Sequence, residues 1–113
     1  MEISYATSKL QKLFNNDSKM RGQLGPECAE KLQRQLTALT AAECLEDVRH
    51  LPQMRCHELT GDRKGQLAVD LEHPKRLIFV PDHEPIPTLP NGGMDWRLIV
   101  KIQVVEIVDY HKS

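Results

Sequence analysis

The sequence predicts an α+β fold, with two N-terminal helices packed on one face of a small antiparallel β-sheet. Apolar residues recur at helical spacing through residues 26–42, whereas from residue 55 onward they alternate with polar residues. Two short polar turns, "TGDRK" and "EHPK", separate three of the alternating runs, as expected for antiparallel hairpins. The order β-α-α-β-β-β-β fits a single domain over residues 1–113, a length that buries a core without disulfides.

The N-terminal part of the chain carries both predicted helices. "EISYA" is typical of a short strand, and Thr7 or Ser8 then caps a first helix that "NNDS" interrupts. Pro26 follows Gly25 and suits the first position of a second helix over residues 26–42. The apolar stripe of this helix consists of Cys28, Leu32, Leu36 and Leu39. A further short helical turn is expected around "AECLEDVRH".

The C-terminal half supplies the other four strands. "RCHEL", "GQLAVDL" and "RLIFV" predict three of them, and a loop over residues 81–95, rich in proline and without periodicity, follows. The last strand is "WRLIVKIQVVEIVDY", in which one face carries Leu98, Val100, Ile102 and Val104. Near Val105 and Ile107 the apolar character becomes two-sided, which predicts a position in the middle of the sheet.

Composition and charge narrow the classes of function. No apolar run approaches the roughly 20 residues of a membrane span, and "MEISYATSKL" lacks a signal-peptide core, so a soluble cytoplasmic protein is expected. Three widely spaced cysteines indicate no disulfide framework. A net charge of −1 is too low to hold nucleic acid by charge alone. Residues 49–81 nevertheless carry six Lys or Arg against four Asp or Glu, so an anion site is expected there.

Within that basic third, residues 56–65 read "CHELTGDRKG" and allow two interpretations. They are either a solvated hairpin tip or a titratable imidazole, that of His57, beside a cationic turn that meets an anionic substrate. Histidine suits acid–base work near neutrality, and the guanidinium of Arg76, in the next strand, can grip two phosphate oxygens. A zinc site at Cys56 and His57 lacks a CxxC or HxxxH partner and is set aside.

The end of the last strand, "EIVDYH", adds three candidates. The apolar run leads directly into His111, so no slack separates the sheet from this second imidazole. Tyr110 either packs on a neighbouring strand or stacks against a base. Asp109 either orients His111 or caps the edge of the sheet, and local sequence does not separate these roles.

The combination "CHELTGDRKGQLAVDLEHPKRLIF" with a closing "EIVDYHK" resembles the toxins of bacterial toxin–antitoxin modules in the RelE/ParE superfamily, in particular the HigB-type, or plasmid-maintenance killer, proteins. The resemblance implies a sheet with two helices on one side and an exposed face that cleaves mRNA in the ribosomal decoding site, without a metal or other cofactor. It also places the active residues at His57, Arg76, Asp109, Tyr110 and His111. The motif often has a lysine where this chain has Thr60, and Arg63 or Lys64 is expected to take over its contact with phosphate.

The resemblance also implies partners and leaves alternatives open. The partners are a HigA-like antitoxin, mRNA on the ribosome, and operator DNA bound through the antitoxin, with no membrane. The antitoxin either covers the active face or binds at a distance, and the loop over residues 81–95 either contributes to such contacts or is idle. A ParE-like inhibitor of DNA gyrase and a degenerate toxin that only binds antitoxin are the rival functions. The paired histidines favour the nuclease, but sequence does not say which one is the base.

Overall fold

A computed structural model gives the fold of the chain, and the structure describes residues 1–109. This part contains four α-helices and five strands, and the α+β class is confirmed. In chain order they are β1 (Glu2–Tyr5), α1 (Ser8–Phe14), α2 (Asp17–Leu24), α3 (Pro26–Ala41), α4 (Leu45–Arg49), β2 (His57–Glu58), β3 (Leu67–Asp70), β4 (Lys75–Pro81) and β5 (Lys101–Asp109).

The prediction of two helices is corrected to four because the polar interruption after Phe14 starts a new helix. The backbone N–H of Lys19 donates to the side-chain oxygen of Asn16 (3.0 Å), so Asn16 caps α2 as Thr7 caps α1. Gly25, at φ 84°, then ends α2 and lets α3 begin at once. The predicted helix over residues 26–42 is confirmed as α3, and the expected short turn is α4.

The sheet is mixed, which corrects the prediction of an antiparallel sheet. Its strand order is β1-β5-β4-β3-β2, and β2 to β5 form an antiparallel meander. At the far edge, β1 runs parallel to β5, with Ile3 opposite Ile102. A four-residue strand whose partner lies almost a chain length away carries no local signal for its direction, so the sequence did not reveal this pairing. The last strand lies between β1 and β4, but β1 pairs only with residues 101–104. The predicted interior position near Val105 and Ile107 is therefore wrong, because this end of β5 pairs with β4 alone.

The two faces of the sheet differ in what they contact. The core face is defined here by the strand residues that share one hydrophobic cluster with the buried residues of the helices, namely Leu67, Val69, Leu77, Phe79, Ile102 and Val104. The alternating residues form the outer face, defined here as His57, Ala68, Asp70, Arg76, Ile78, Glu106 and Val108. A register shift between Ile78 and Phe79 absorbs Val105, so both ends of β5 keep the correct side chains on the core face.

The segment before β5 is anchored by Trp96 rather than extended as a strand, which corrects the predicted start of the last strand. Trp96 is buried, its indole N–H donates to the carboxylate of Glu58 (2.9 Å), and the Arg49 guanidinium lies 4.0 Å above its ring. A short 3-10 turn at Trp96–Leu98 then breaks the alternation, leaving Leu98 59% and Val100 42% exposed. Within residues 1–109, the helices are all too short or too polar to cross a bilayer.

Candidate functional site: the outer face of the sheet

Register across four strands brings the first two candidate residues to one face. His57 on β2 lies opposite Ala68, which lies opposite Ile78, which in turn lies opposite Glu106. Arg76 is two residues before Ile78 on β4, so strand alternation places its side chain on the same face. Strand spacing and rise put the Cα atoms of His57 and Arg76 roughly 12 Å apart, a gap that two long side chains can close around one phosphodiester.

The imidazole of His57 is held in one tautomer. Its Nδ1 lies 2.8 Å from the backbone carbonyl oxygen of Arg55, and a carbonyl oxygen only accepts hydrogen bonds. Nδ1 therefore carries the proton, and in the neutral ring Nε2 keeps a lone pair that can accept one. Arg55 sits in the left-handed backbone region, at φ 50° and ψ 44°, an unfavourable conformation for a residue with a side chain. This conformation is part of the turn that leads into the half-buried His57.

Arg76 belongs to a cluster centred on Asp70, its cross-strand partner. The Asp70 carboxylate lies 3.6 Å from Nε of Arg76 and 2.9 Å from Nε of Arg55. The backbone carbonyl of Asp70 accepts a hydrogen bond of 2.7 Å from the side-chain amide of Gln35, which is buried in α3. A helix thus holds, from the core side, the backbone of the residue whose carboxylate contacts both guanidiniums.

The hairpin between β2 and β3 turns through a 3-10 turn at Gly61–Arg63. Arg63 donates to Gln66 (2.8 Å) and to the carboxylate of Glu106 on β5 (3.2 Å). A contact between this hairpin and β5 requires the turn to curl over the outer face, across β4. Thr60 and Lys64 are exposed on the same turn, so the sequence-predicted substrate residues do lie along one rim.

The electrostatics of the outer face favour an anion without binding it strongly. Arg76 on this face, with Arg55 and Arg63 from the adjoining turns, faces the carboxylates of Asp70 and Glu106. These five side chains together leave one net positive charge. Among the described residues, no three His, Cys, Asp or Glu side chains cluster so as to hold a metal ion.

Cys56 precedes His57, and its thiol is largely withdrawn from water. Burial raises the pKa of the Cys56 thiol to about 12, and the nearby Arg49 guanidinium offsets only part of this effect. The thiol is therefore protonated at neutral pH and is a poor nucleophile and a poor metal ligand.

The other sequence-predicted site residues have different positions. Asp109 lies opposite Lys75 at the start of β4, and alternation from Ile107 and Leu77 places both on the core-face side of the sheet. The structure therefore does not bring Asp109 onto the outer face beside His57. Tyr110 and His111 lie outside the described residues.

Sequence reasoning missed three residues of this face. Asp70 had a signal, because it and Arg76 flank the short "EHPK" turn and so pair in a hairpin. For Glu106 the only signal in the sequence was its position in a strand where apolar and polar residues alternate. Arg55, which reaches this face from the preceding turn, had no signal, since nothing in the sequence marks an arginine for the left-handed region.

The fold and this face define a small α+β protein that presents a histidine beside arginines, the residue types that act on and bind phosphodiesters. The family model of HigB-like toxins, described as the RelE-like toxin of the type II toxin–antitoxin system HigB, matches residues 3–86. This match covers most of the chain, including His57 and Arg76, and the chain belongs to the HigB-like toxin family. A toxin of this type has an antitoxin protein as its partner.

Searches of the curated proteins and of the solved structures gave no match for this chain.

Proposed function

We propose that the protein is a ribosome-dependent endoribonuclease that cleaves mRNA in the cytoplasm and thereby stops translation. The single observation that supports this most is the His57 imidazole, fixed with Nε2 as acceptor, on the same sheet face as the Asp70-oriented guanidinium of Arg76. A protein that only binds a partner has no need of an imidazole held in one tautomer.

The chemistry assigned to this face is cleavage by the RNA's own 2′-hydroxyl. Such cleavage needs a base for the hydroxyl, a cation for the charge that develops on the phosphorane, and an acid for the leaving 5′-oxygen. We assign His57 Nε2 as the base, because Nδ1 donates its hydrogen bond to the Arg55 carbonyl and the lone pair is on Nε2. Arg76 stabilises the phosphorane through its planar fork. No metal or other cofactor takes part in this scheme.

We assign the acid and the stacking group to residues that follow β5 in the chain. His111 is the proposed acid, and Tyr110 is proposed to stack on a base next to the scissile bond. Asp109, opposite Lys75 in the ladder, is proposed to support these residues through the backbone at the end of β5 rather than by touching RNA.

The hairpin rim is proposed to contact the RNA backbone. Lys64 and Thr60 are exposed there and are assigned to phosphate binding. Arg63 is already bound to Glu106, so its main contribution is to hold the hairpin over the outer face, with its remaining donors turned to phosphate.

The proposed need for a ribosome follows from the low positive charge of the site and from the limited rate acceleration that its residues provide. A correctly placed base accelerates the reaction by about 10²–10⁴-fold, and one electrostatic donor accelerates it by about 10²–10³-fold. The outer face together with Arg55 and Arg63 from the adjoining turns carries a single net positive charge, and the chain has a net charge of −1, so free RNA is held weakly. A ribosome that presents the mRNA in a fixed geometry supplies the missing orientation, which is worth several kcal/mol.

The test compares cleavage of one mRNA, naked and in a programmed ribosome, by mapping 5′ ends over time. The wild type should cut the ribosome-bound mRNA well and the naked mRNA poorly. His57→Ala should cleave the ribosome-bound mRNA about 10²–10⁴-fold more slowly than wild type. His50→Ala is the matched control, because this histidine is exposed at the C-terminal end of α4, away from the outer face, and the variant should cleave normally. Equal cleavage of both substrates would refute ribosome dependence. Growth arrest with DNA damage and intact mRNA would instead favour gyrase inhibition.

A further inference from the structure

The proposed base lies on the shortest of the five strands that the structure describes, at the edge of the sheet. β2 contains only His57 and Glu58 and pairs with β3 alone. The backbone N–H of Leu59 extends this pairing with a hydrogen bond to the carbonyl oxygen of Gln66 (2.9 Å). A lone hairpin is only marginally stable in water, and a displacement of about 1 Å can cost on the order of 10²-fold in rate. The position of β2 therefore needs support from outside the hairpin.

The residues on either side of His57 meet one cluster on the opposite side of the sheet. Strand alternation turns Cys56 and Glu58 away from the face that His57 occupies, and Glu58 lies opposite Leu67 of the core face. Cys56 packs against the hydrophobic core. The Glu58 carboxylate accepts a hydrogen bond of 2.9 Å from the indole N–H of Trp96. Both neighbours of His57 are thus fixed from the side that faces away from the proposed substrate.

Trp96 is itself fixed by α4. Its side chain is 5% exposed, and the guanidinium of Arg49 lies 4.0 Å above the ring. Arg49 is in turn paired with the carboxylate of Glu46, one turn earlier in the helix, at 3.0 Å. The backbone N–H of Leu45 donates to the carbonyl oxygen of Ile99 (2.9 Å) and joins α4 to the segment that carries the indole. The donor that meets Glu58 therefore has a defined position.

The hydrogen bond between Trp96 and Glu58 differs from the other contacts of β2. Within residues 1–109, it is the side-chain hydrogen bond that ties this strand to a segment outside its own hairpin, 38 residues away. The contact of His57 with the Arg55 carbonyl is local, so it fixes the tautomer but not the place of the strand. A buried indole N–H requires an acceptor, and a carboxylate forms a stronger bond than a neutral oxygen.

We propose that Trp96 and Glu58 are positioning residues for the base. Their hydrogen bond fixes β2 so that Nε2 of His57 lies over the outer face, at the distance from Arg76 that one phosphodiester requires. Neither side chain touches RNA in this scheme, because Glu58 turns away from the outer face and Trp96 is buried in the core. The inference rests on the proposed function for the role of His57.

The experiment measures kcat and KM for cleavage of mRNA in programmed ribosomes. Glu58→Ala should lower kcat by at least about tenfold and leave KM within about threefold of wild type, because the base is displaced while the RNA contacts remain. Glu58→Gln should cleave within about threefold of wild type, since its amide oxygen still accepts from the indole. Asp17→Ala is the matched control, because it removes an exposed carboxylate and its ion pair with Arg21 (2.9 Å) on α2, and it should cleave as wild type does.

Trp96→Phe tests the same contact from the other side, because it keeps an aromatic ring and removes the N–H. Its kcat should fall by the same factor, and the double variant Trp96→Phe/Glu58→Ala should lose no more than either single variant, since all three break one contact. A contact that serves stability alone would lower the free energy of unfolding and leave kcat unchanged. That result, additive losses in the double variant, or failure of Glu58→Gln to recover would each overturn the proposal. Because Glu58 is exposed, Glu58→Ala decides the question even where Trp96→Phe does not fold.

Hydrogen exchange separates this inference from the proposed nuclease function. The backbone N–H of Leu59 should exchange at least about tenfold faster in Glu58→Ala than in wild type, because β2 opens locally. The backbone N–H of Leu71, bonded to the carbonyl of Lys75 (3.0 Å) in the next hairpin, should exchange at the wild-type rate. An unchanged rate at Leu59 would overturn the inference even for an active nuclease. If the wild type cleaves no mRNA and Leu59 still exchanges faster in the variant, the nuclease proposal fails and the support of β2 by Trp96 stands.

Discussion

Replacement of Asp70 by asparagine tests how the outer face orients its arginines. The amide keeps the shape of the carboxylate but removes the charge that lies 2.9 Å from Arg55 and 3.6 Å from Arg76. The two guanidiniums then share a neutral neighbour and repel each other. We expect Arg76 to leave the position in which it meets the phosphate.

The magnitude follows from the exposure of the three side chains. Arg55 is 71% exposed, so its ion pair with Asp70 contributes about 0.2–1 kcal/mol. Asp70 and Arg76 are 24% and 34% exposed, and a contact at this depth is worth about 1 kcal/mol. Asp70→Asn should therefore lower the free energy of unfolding by about 1–2 kcal/mol, which is about 4–8 °C in Tm for a domain of this size.

The catalytic effect should be partial. Complete loss of one electrostatic donor, as in Arg76→Ala, costs about 10²–10³-fold in the cleavage rate. Asp70→Asn keeps the guanidinium but loosens it, and we expect about a tenfold loss in kcat, with KM for the programmed ribosome changed less. Urea denaturation followed by the fluorescence of Trp96 measures stability, and single-turnover cleavage measures the rate.

A matched control separates orientation from general charge. Asp62→Asn makes the same change on the exposed hairpin turn, where the described residues offer Asp62 no ion pair, and should leave stability and rate near wild type. The reasoning is wrong if Asp70→Asn cleaves at the wild-type rate while Arg76→Ala is inactive.

Two further predictions follow from shifted pKa values. Burial raises the pKa of Cys56 to about 12, so little thiolate is present at pH 8 in the native protein. Alkylation of Cys56 by iodoacetamide at pH 8, followed by mass spectrometry, should therefore be more than about 10²-fold slower in the native protein than in urea. Equal rates would contradict this. The hydrogen bond from Arg97 lowers the pKa of the Asp95 carboxyl, so Asp95 stabilises the fold above the ordinary carboxyl pKa of about 3.9, and this contribution is lost as the pH falls through the lowered value. Asp95→Asn should therefore be less stable than wild type at pH 7, with a difference that shrinks in acid; a difference that does not change with pH would refute this.

Much of the candidate site was predictable, but not its geometry. His57 and Arg76 stood out because histidine and arginine suit phosphodiester chemistry, and because both lie next to short turns that the sequence predicts to be hairpins. Asp109 shows the limit of strand reasoning, because the absorbed residue Val105 changes which side chains of β5 share a face. The predicted alternation of Leu98 and Val100 failed for a related reason, since the turn at Trp96 replaces the start of the strand.

The sequence by itself determined the α+β class, the extent of α3, the antiparallel meander from β2 to β5 and the family resemblance that the match over residues 3–86 then established. These properties depend on periodicity and on short turns, which involve residues close together in the chain. Only the tertiary structure decided that β1 pairs in parallel with β5, that the carbonyl of Arg55 fixes the His57 tautomer and that Asp70 lies between two arginines. These features depend on contacts between distant segments, or on a backbone conformation that only the folded chain imposes. Local sequence predicts neither of these.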